Sequence, residues 1–412
     1  MKKLLTLISG LFFVLALSAC GGDGGGGTGG AGGAGATTLN AVLSGAQQVP
    51  PVTTASSGSA NFTVAADGGS IDFTLNASGF TSPISAAHIH RGDLGENGSV
   101  LFTLVETDFT AGTGSGAASG TLTAPDAGVA LSMAEAVSLI LAGGTYVNVH
   151  TQANAAGEIR GQLGAQQINA VLSGDQETAA VVTPASGSFS LSIPADQSSA
   201  EFSLTVSGFT VPITAAHIHN GALGTNGPVL ITLTEGDFTG TLSGTISDVD
   251  PGVTLSLGDV FNLILSGDAY VNVHTAQNAA GEIRGQLGPQ TLTVSLSGDQ
   301  EVPPVVTPAT GSATLNLNAR QDAIDFTLSI TGNTTAVSAS HIHVGAAGEN
   351  GGVMVTLVEQ DFTTTSGTVT APDNPAARTF AEVVNLVLSG GAYINVHTTA
   401  NAAGEIRGQL GP

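Results

Sequence analysis

Residues 70–80, SIDFTLNASGF, and 100–106, VLFTLVE, alternate apolar with polar side chains and favour β-branched and aromatic types. A period of two puts every second side chain on one face, which predicts strands with one buried side. Gly, Pro and Asn punctuate such runs at short intervals, the spacing of an antiparallel sandwich or barrel. Asn97-Gly98, Asn226-Gly227 and Asn350-Gly351 stand where a turn would return one strand into the next. A second period interrupts the first. In LSMAEAVSLILAGG (131–144), Ser132 and Glu135 make a capping box, Met133, Val137, Ile140 and Leu141 share a face, and Gly143 supplies a stop. Ser256/Asp259 and Thr379/Glu382 repeat that grammar. Each predicted helix should cap a core and deliver the chain to the strand that follows.

The pattern recurs because the sequence does. AAHIHRGDLGENG (86–98) returns as AAHIHNGALGTNG (215–227) and ASHIHVGAAGENG (339–351). YVNVHTQANAAGEIRGQLG (146–164) returns at 270–288 and, with Ile394 and Thr399, at 393–411. His88 to His217 spans 129 residues and His217 to His341 spans 124, a domain-sized period rather than that of a solenoid. The expected architecture is all-β: three tandem antiparallel β-sandwich or barrel domains, each with one short helix, at 38–164, 165–288 and 289–412. With so few residues between units, the domains should abut closely as a rod.

What precedes them is of another kind. MKKLLTLISGLFFVLALSAC opens with Lys2 and Lys3, continues through an apolar run from Leu4 to Leu15 and closes on Leu17-Ser18-Ala19-Cys20. The stretch is too short to span a bilayer and has the order of an export signal. Its last four residues resemble the bacterial lipobox, which implies removal of 1–19 and lipidation of Cys20. The glycine-rich stretch 21–36 then reads as a flexible tether within 20–37. The absence of Asp directly after Cys20 favours the outer membrane, so the expected location is the cell envelope, held to the membrane by lipid on Cys20.

Composition narrows the function. Without the leader the chain has six arginines, no lysine and 31 acids, a formal charge of −25. A nucleic-acid partner needs a basic footprint, which is missing. The single cysteine is assigned to lipid, so no disulfide can form within the mature chain and buried apolar surface must hold the fold. The sequence does not identify the protein or glycan partner such a module would take.

All nine histidines fall in the repeated motifs, three per unit: His88, His90 and His150; His217, His219 and His274; His341, His343 and His397. Alternation puts His88 and His90 on the face opposite Ala87 and Ile89, and Tyr146, Asn148 and His150 opposite Val147 and Val149. The valine and isoleucine face should be core, so the imidazoles point outward. Two imidazoles at i and i+2, joined by a third, can begin a copper or zinc site, one per domain, with a fourth position open. Glu158, Glu282 and Glu405 are then candidates for a fourth ligand or for a partner that orients an imidazole. A second reading stands beside it: His, Asn and Tyr form a hydrogen-bonded network in which Glu158 accepts from an imidazole and pairs with Arg160.

LSGDQEVPPV…TGSA (296–313), HIHxGxxGxNGxV and YxNVHTxxxxxGEIRGQL together resemble the CHRD domain, over nearly all of residues 38–412 and three times in order. Thr178-Ala179-Ala180 departs from the Val302-Pro303-Pro304 of the third copy. The resemblance implies a secreted β-rich domain of bacterial surface proteins, without a settled activity, acting as a binding or structural module. HIH followed by VHT on a β-sandwich also loosely resembles copper-zinc superoxide dismutase, the alternative of a copper enzyme. That family uses four copper-binding histidines and a disulfide; here each unit has three histidines and no spare cysteine.

Overall fold

The computed structural model describes residues 36–109, 114–333 and 335–412. The leader, Cys20 and nearly all of the glycine-rich stretch lie outside the described residues. In the first domain the strands are β1 (Thr37–Ser44), β2 (Ser57–Val64), β3 (Ile71–Phe80), β4 (Ile84–Arg91), β5 (Val100–Val105), β6 (Gly114–Leu122), β7 (Thr145–Thr151) and β8 (Ile159–Leu163), with helix α1 (Met133–Leu141) between β6 and β7. They form one eight-stranded antiparallel sheet in the order β5-β4-β7-β8-β1-β2-β3-β6, and β5 comes back towards β6, giving a barrel-like curl. The same order recurs in the other two domains. The fold is therefore nearly all-β, as the alternation predicted.

Period-two patterning sets the register. On β3 Ile71, Phe73, Leu75 and Ala77 are buried, and on β2 Ala60, Phe62 and Val64. The strands pair Ala60 with Leu75 and Phe62 with Phe73, so the apolar sets meet on one face. Each barrel keeps its own core cluster. Leu94 of the first domain is an exception, packing into the second cluster together with Ala319 of the third.

The helices form where their caps predicted. Ser132/Glu135, Ser256/Asp259 and Thr379/Glu382 all make the reciprocal capping box, on α1, α2 (Leu257–Ser266) and α3 (Phe380–Ser389). Gly267 and Gly390 close α2 and α3 in the left-handed conformation. On α1 Ala142 is the cap, and Gly143 turns the chain one residue later, at φ +85°.

The joints between domains repeat as faithfully as the domains. β1 pairs with β8 only at Ser44–Arg160, which leaves much of that edge of β1 unpaired within its own barrel. The hairpin tip of the next domain fills it. Asn40 donates its backbone N–H to the Ala195 carbonyl at 3.0 Å and its side-chain amide to the Asp196 carbonyl at 2.7 Å. Asn169 does the same to Ala319 and Arg320 at the second joint. Beside each tip the helix of the incoming domain offers one asparagine. Asn262 Oδ1 accepts from Ser44 Oγ and Gln47 Nε2, and Asn385 Oδ1 accepts from Ser173 Oγ and Gln176 Nε2.

Candidate metal centre

The histidine pair rides on β4 between β5 and β7. Cross-strand pairing sets His88 opposite Asn148, His90 opposite Tyr146 and Ala86 opposite His150. Ala87, Ile89, Val147 and Val149 fill the barrel side and are fully buried, so the imidazoles share the outer face, as alternation requires. Loops roof that face, leaving His90 and His150 only 8% and 9% exposed. Ring centroids lie 5.5 Å (His88–His90), 5.0 Å (His88–His150) and 5.4 Å (His90–His150) apart. The corresponding separations are 5.6, 5.0 and 5.6 Å in each of the other two domains. Sequence reasoning grouped these nine residues correctly into three trios, and in each trio the ligand nitrogens lie within 4.8 Å of one another.

Two backbone carbonyls decide the tautomers. His90 Nδ1 lies 3.0 Å from the Gly98 carbonyl and His150 Nδ1 lies 3.0 Å from the Ala155 carbonyl. A carbonyl only accepts, so both Nδ1 atoms carry hydrogen and both Nε2 atoms are left with bare lone pairs. Those two Nε2 atoms face each other at 3.3 Å. Neither can donate, so the contact is repulsive until something positive sits between them. In the second domain the buried nitrogens without a partner are His217 Nδ1, His219 Nε2 and His274 Nε2, and in the third His341 Nδ1, His343 Nε2 and His397 Nε2. His88 Nδ1 is likewise unpartnered in the first. One Nδ1 and two Nε2 atoms per trio therefore lack any hydrogen-bond partner but each other. Zinc–imidazole bonds of about 2.0–2.1 Å set tetrahedral ligands roughly 3.3–3.4 Å apart, which the His90–His150 pair meets.

Burial favours the neutral ring at His88, His90, His150, His219, His274, His341, His343 and His397. Burial pushes His90 down to about 4, helped by the neighbouring His150 and His88 and by the Arg160 guanidinium, against the Gly98 hydrogen bond. His219 and His397 are also lowered to about 4, chiefly by burial. A neutral ring is the ligand form, so this lowering favours cation binding over protonation.

Behind His90 stands a stack that sequence reasoning saw only in part. The Tyr146 ring stacks on His90 with the centroids 5.1 Å apart, and the Arg160 guanidinium carbon lies 3.6 Å from the Tyr146 ring centroid. Arg160, fully buried, donates to the carbonyls of Glu96 and Asp93 and to Gln162 Oε1. It thereby ties β8 to the loop whose Gly98 carbonyl orients His90. Gly98 is required here by close approach, since a Cβ would fall 1.8 Å from the Arg91 carbonyl. Arg284 and Arg407 repeat the stack on Tyr270 and Tyr393.

The hydrogen bonds of Glu158, Glu282 and Glu405 go to hydroxyls and amides and not to an imidazole. Glu158, 3% exposed, accepts from Thr54 Oγ1 and Ser56 Oγ on one oxygen and from Thr151 Oγ1 and Asn154 Nδ2 on the other. These four bonds go to neutral donors, and no ion pair with Arg160 forms; His217–Glu235 is the one salt bridge among the described residues. Glu282 and Glu405 accept likewise from Thr183 and Thr275, and from Thr307 and Thr398. Burial alone would raise Glu158, but Ser56, Thr151, Thr54 and Asn154 outweigh it and hold the carboxyl below its ordinary range. The bonds to Thr151 and Asn154 fold the loop that presents the Ala155 carbonyl to His150, so Glu158 acts on the imidazole through that loop.

A carboxylate does meet a histidine elsewhere. His217 Nε2 lies 3.3 Å from Glu235 Oε1, at the end of the strand Val229–Thr234. Hydrogen on Nε2 leaves the lone pair on Nδ1, the atom that is unpartnered. The departure of the second copy from Val-Pro-Pro also has a local answer. Asn97 and Asn350 donate to the carbonyls of Val49 and Val302, whereas Asn226 donates to the Thr178 hydroxyl.

Fold and site together define the class: a tandem array of small antiparallel, barrel-like β-domains, each with a cluster of three histidines roofed on its outer face. Residues 39–163, 168–287 and 292–410 each match the CHRD domain, and the chain belongs to the CHRD family. None of the curated proteins matches it.

Proposed function

We propose that the chain is a lipid-anchored protein of the bacterial cell envelope whose three CHRD domains form a binding module, each holding one copper or zinc ion. The observation that carries this reading is the trio of convergent, unpartnered imidazole nitrogens present in every domain. His88, His90 and His150 would supply three ligands in the first domain, their counterparts those in the others, with a fourth position left for water or a ligand from a partner. Imidazole donors suit copper and zinc alike. The formal charge of −25 outside the leader favours cations near the surface. The anchor rests on Leu17-Ser18-Ala19-Cys20 and the glycine-rich stretch after it, with the outer membrane as the expected site.

Metal content after loading and gentle dialysis tests the first part, with His90→Ala and His150→Ala each expected to remove one equivalent. Retention of all equivalents by both variants would sink it. Incorporation of labelled fatty acid, lost in Cys20→Ser, tests the second; a wild-type chain that takes up no label would refute the anchor.

A further inference from the structure

Gln48, Glu177 and Glu301 occupy the same place in the three domains, in the loop after the first strand: SGAQQV, SGDQET and SGDQEV. All three side chains are buried. Each reaches the asparagine at the centre of the histidine-bearing strand, Asn148, Asn272 or Asn395. In the first domain the contact is an ordinary hydrogen bond, Gln48 Nε2 donating to Asn148 Oδ1 at 2.6 Å.

The other two domains have the same geometry with an oxygen where that nitrogen stands. A Cβ placed on Gly157 would fall 2.6 Å from Gln48 Nε2 and 2.2 Å from Asn148 Oδ1. Placed on Gly281 it would fall 2.5 Å from Glu177 Oε1 and 2.4 Å from Asn272 Oδ1, and on Gly404, 2.5 Å from both Glu301 Oε1 and Asn395 Oδ1. In both cases the carboxyl oxygen and the amide oxygen are buried and lack any donor. Turning the asparagine amide over does not help. Asn272 Nδ2 already serves the Ala280 carbonyl, and a flip would set Oδ1 against that carbonyl instead. One hydrogen is missing in each domain, at the spot where Gln48 supplies one.

We propose that Glu177 and Glu301 are neutral carboxylic acids in the folded protein around neutral pH, each donating its proton to the facing asparagine. The pair is then a carboxylic acid–amide ring: the O–H points to Asn395 Oδ1, and Asn395 Nδ2 faces Glu301 Oε2 at 3.5 Å. Burial pushes both carboxyls up to about 7. The charged groups that face them, Arg284 and Arg407 respectively, pull the other way and do not win, being held by backbone carbonyls and a tyrosine ring.

The sign follows by linkage. The unfolded chain releases these protons in the ordinary carboxylate range and the folded chain only near 7, so the folded state binds more protons in between. Their contribution to stability is full below about 4.3, and it is lost as pH rises through about 7. The first domain, with Gln48, has no such term. Metal is not needed for any of this, so the outcome is independent of the proposed metal centre.

The infrared spectrum of the full metal-free chain tests the proposal. A protonated-carboxyl carbonyl band should persist at pH 6 and vanish by pH 8.5, and it should be absent from the Glu177→Gln/Glu301→Gln variant. That variant should also gain thermal stability over wild type at pH 8.5 and gain less, or nothing, at pH 5. Gln48→Glu should add a third such group and make the first domain pH-dependent. A wild-type spectrum without the band at pH 6 overturns the proposal, whether or not the variants fold. A double variant as weakened at pH 8.5 as at pH 5 overturns it too.

Discussion

Replacing Glu158 by alanine probes the link between the fold and the histidine trio. The carboxylate accepts four hydrogen bonds, from Thr54, Ser56, Thr151 and Asn154, and is 3% exposed. Bonds to a charged group contribute roughly 1.5–3 kcal/mol each, an upper total of about 6–12 kcal/mol. Relief of the buried charge and entry of water to the freed hydroxyls return much of that, so a net loss of about 3–5 kcal/mol is expected, the range for breaking a buried charged network. The damage should be local. Thr151 and Asn154 lose their common anchor, and the segment 152–157, which carries the Ala155 carbonyl against His150 Nδ1, should open. Denaturant unfolding gives the net loss, and hydrogen exchange gives its place, with 276–281 of the second domain as an internal control. A loss below about 1 kcal/mol, or unchanged exchange at 152–157, would refute the reasoning.

The same carboxylates set an acid limit. Glu158, Glu282 and Glu405 are held below their ordinary range, the donors overcoming the burial that would raise them. Their stabilisation is present above the unfolded value of about 4.3 and is lost as pH falls through the folded one; unfolding midpoints unchanged between pH 5 and pH 2.5 would contradict this. Tyr146→Leu removes the ring between Arg160 and His90 and the hydroxyl that accepts from Gly98 N, and should destabilise the first domain by about 3 kcal/mol, read by urea unfolding. Asn262→Ser, which copies Ser138 of the first helix, removes the acceptor shared by Ser44 and Gln47. It should weaken the first joint by about 2 kcal/mol, and faster hydrogen exchange at Asn40 would report it.

Much of this was legible in the sequence, for a physical reason. Strand alternation, helix caps and the grouping of His88, His90 and His150 are local consequences of period and spacing, so SIDFTLNASGF and SMAEAVSLIL declared their elements. What escaped was non-local. Glu158 and Arg160 are two residues apart and of opposite sign, which reads as an ion pair. Yet Glu158 turns to hydroxyls at Thr54 and Ser56, and Arg160 to carbonyls at Asp93 and Glu96. Backbone carbonyls fix the histidine tautomers, and carbonyls leave no mark in a residue pattern. Asn97-Gly98 reads as a turn, whereas the role of Gly98 comes from the Arg91 carbonyl pressed against it. The joints were hidden too, since in the sequence Asn262 looks like any other polar residue of a helix.

The trio itself admits a direct test: the number of copper or zinc ions bound per chain, counted in wild type and in His150→Ala, His274→Ala and His397→Ala separately and combined. The account predicts three ions for wild type, two for each single variant and none for the triple. A wild-type chain that retains no metal after loading, or a triple variant that retains as much as wild type, would contradict it.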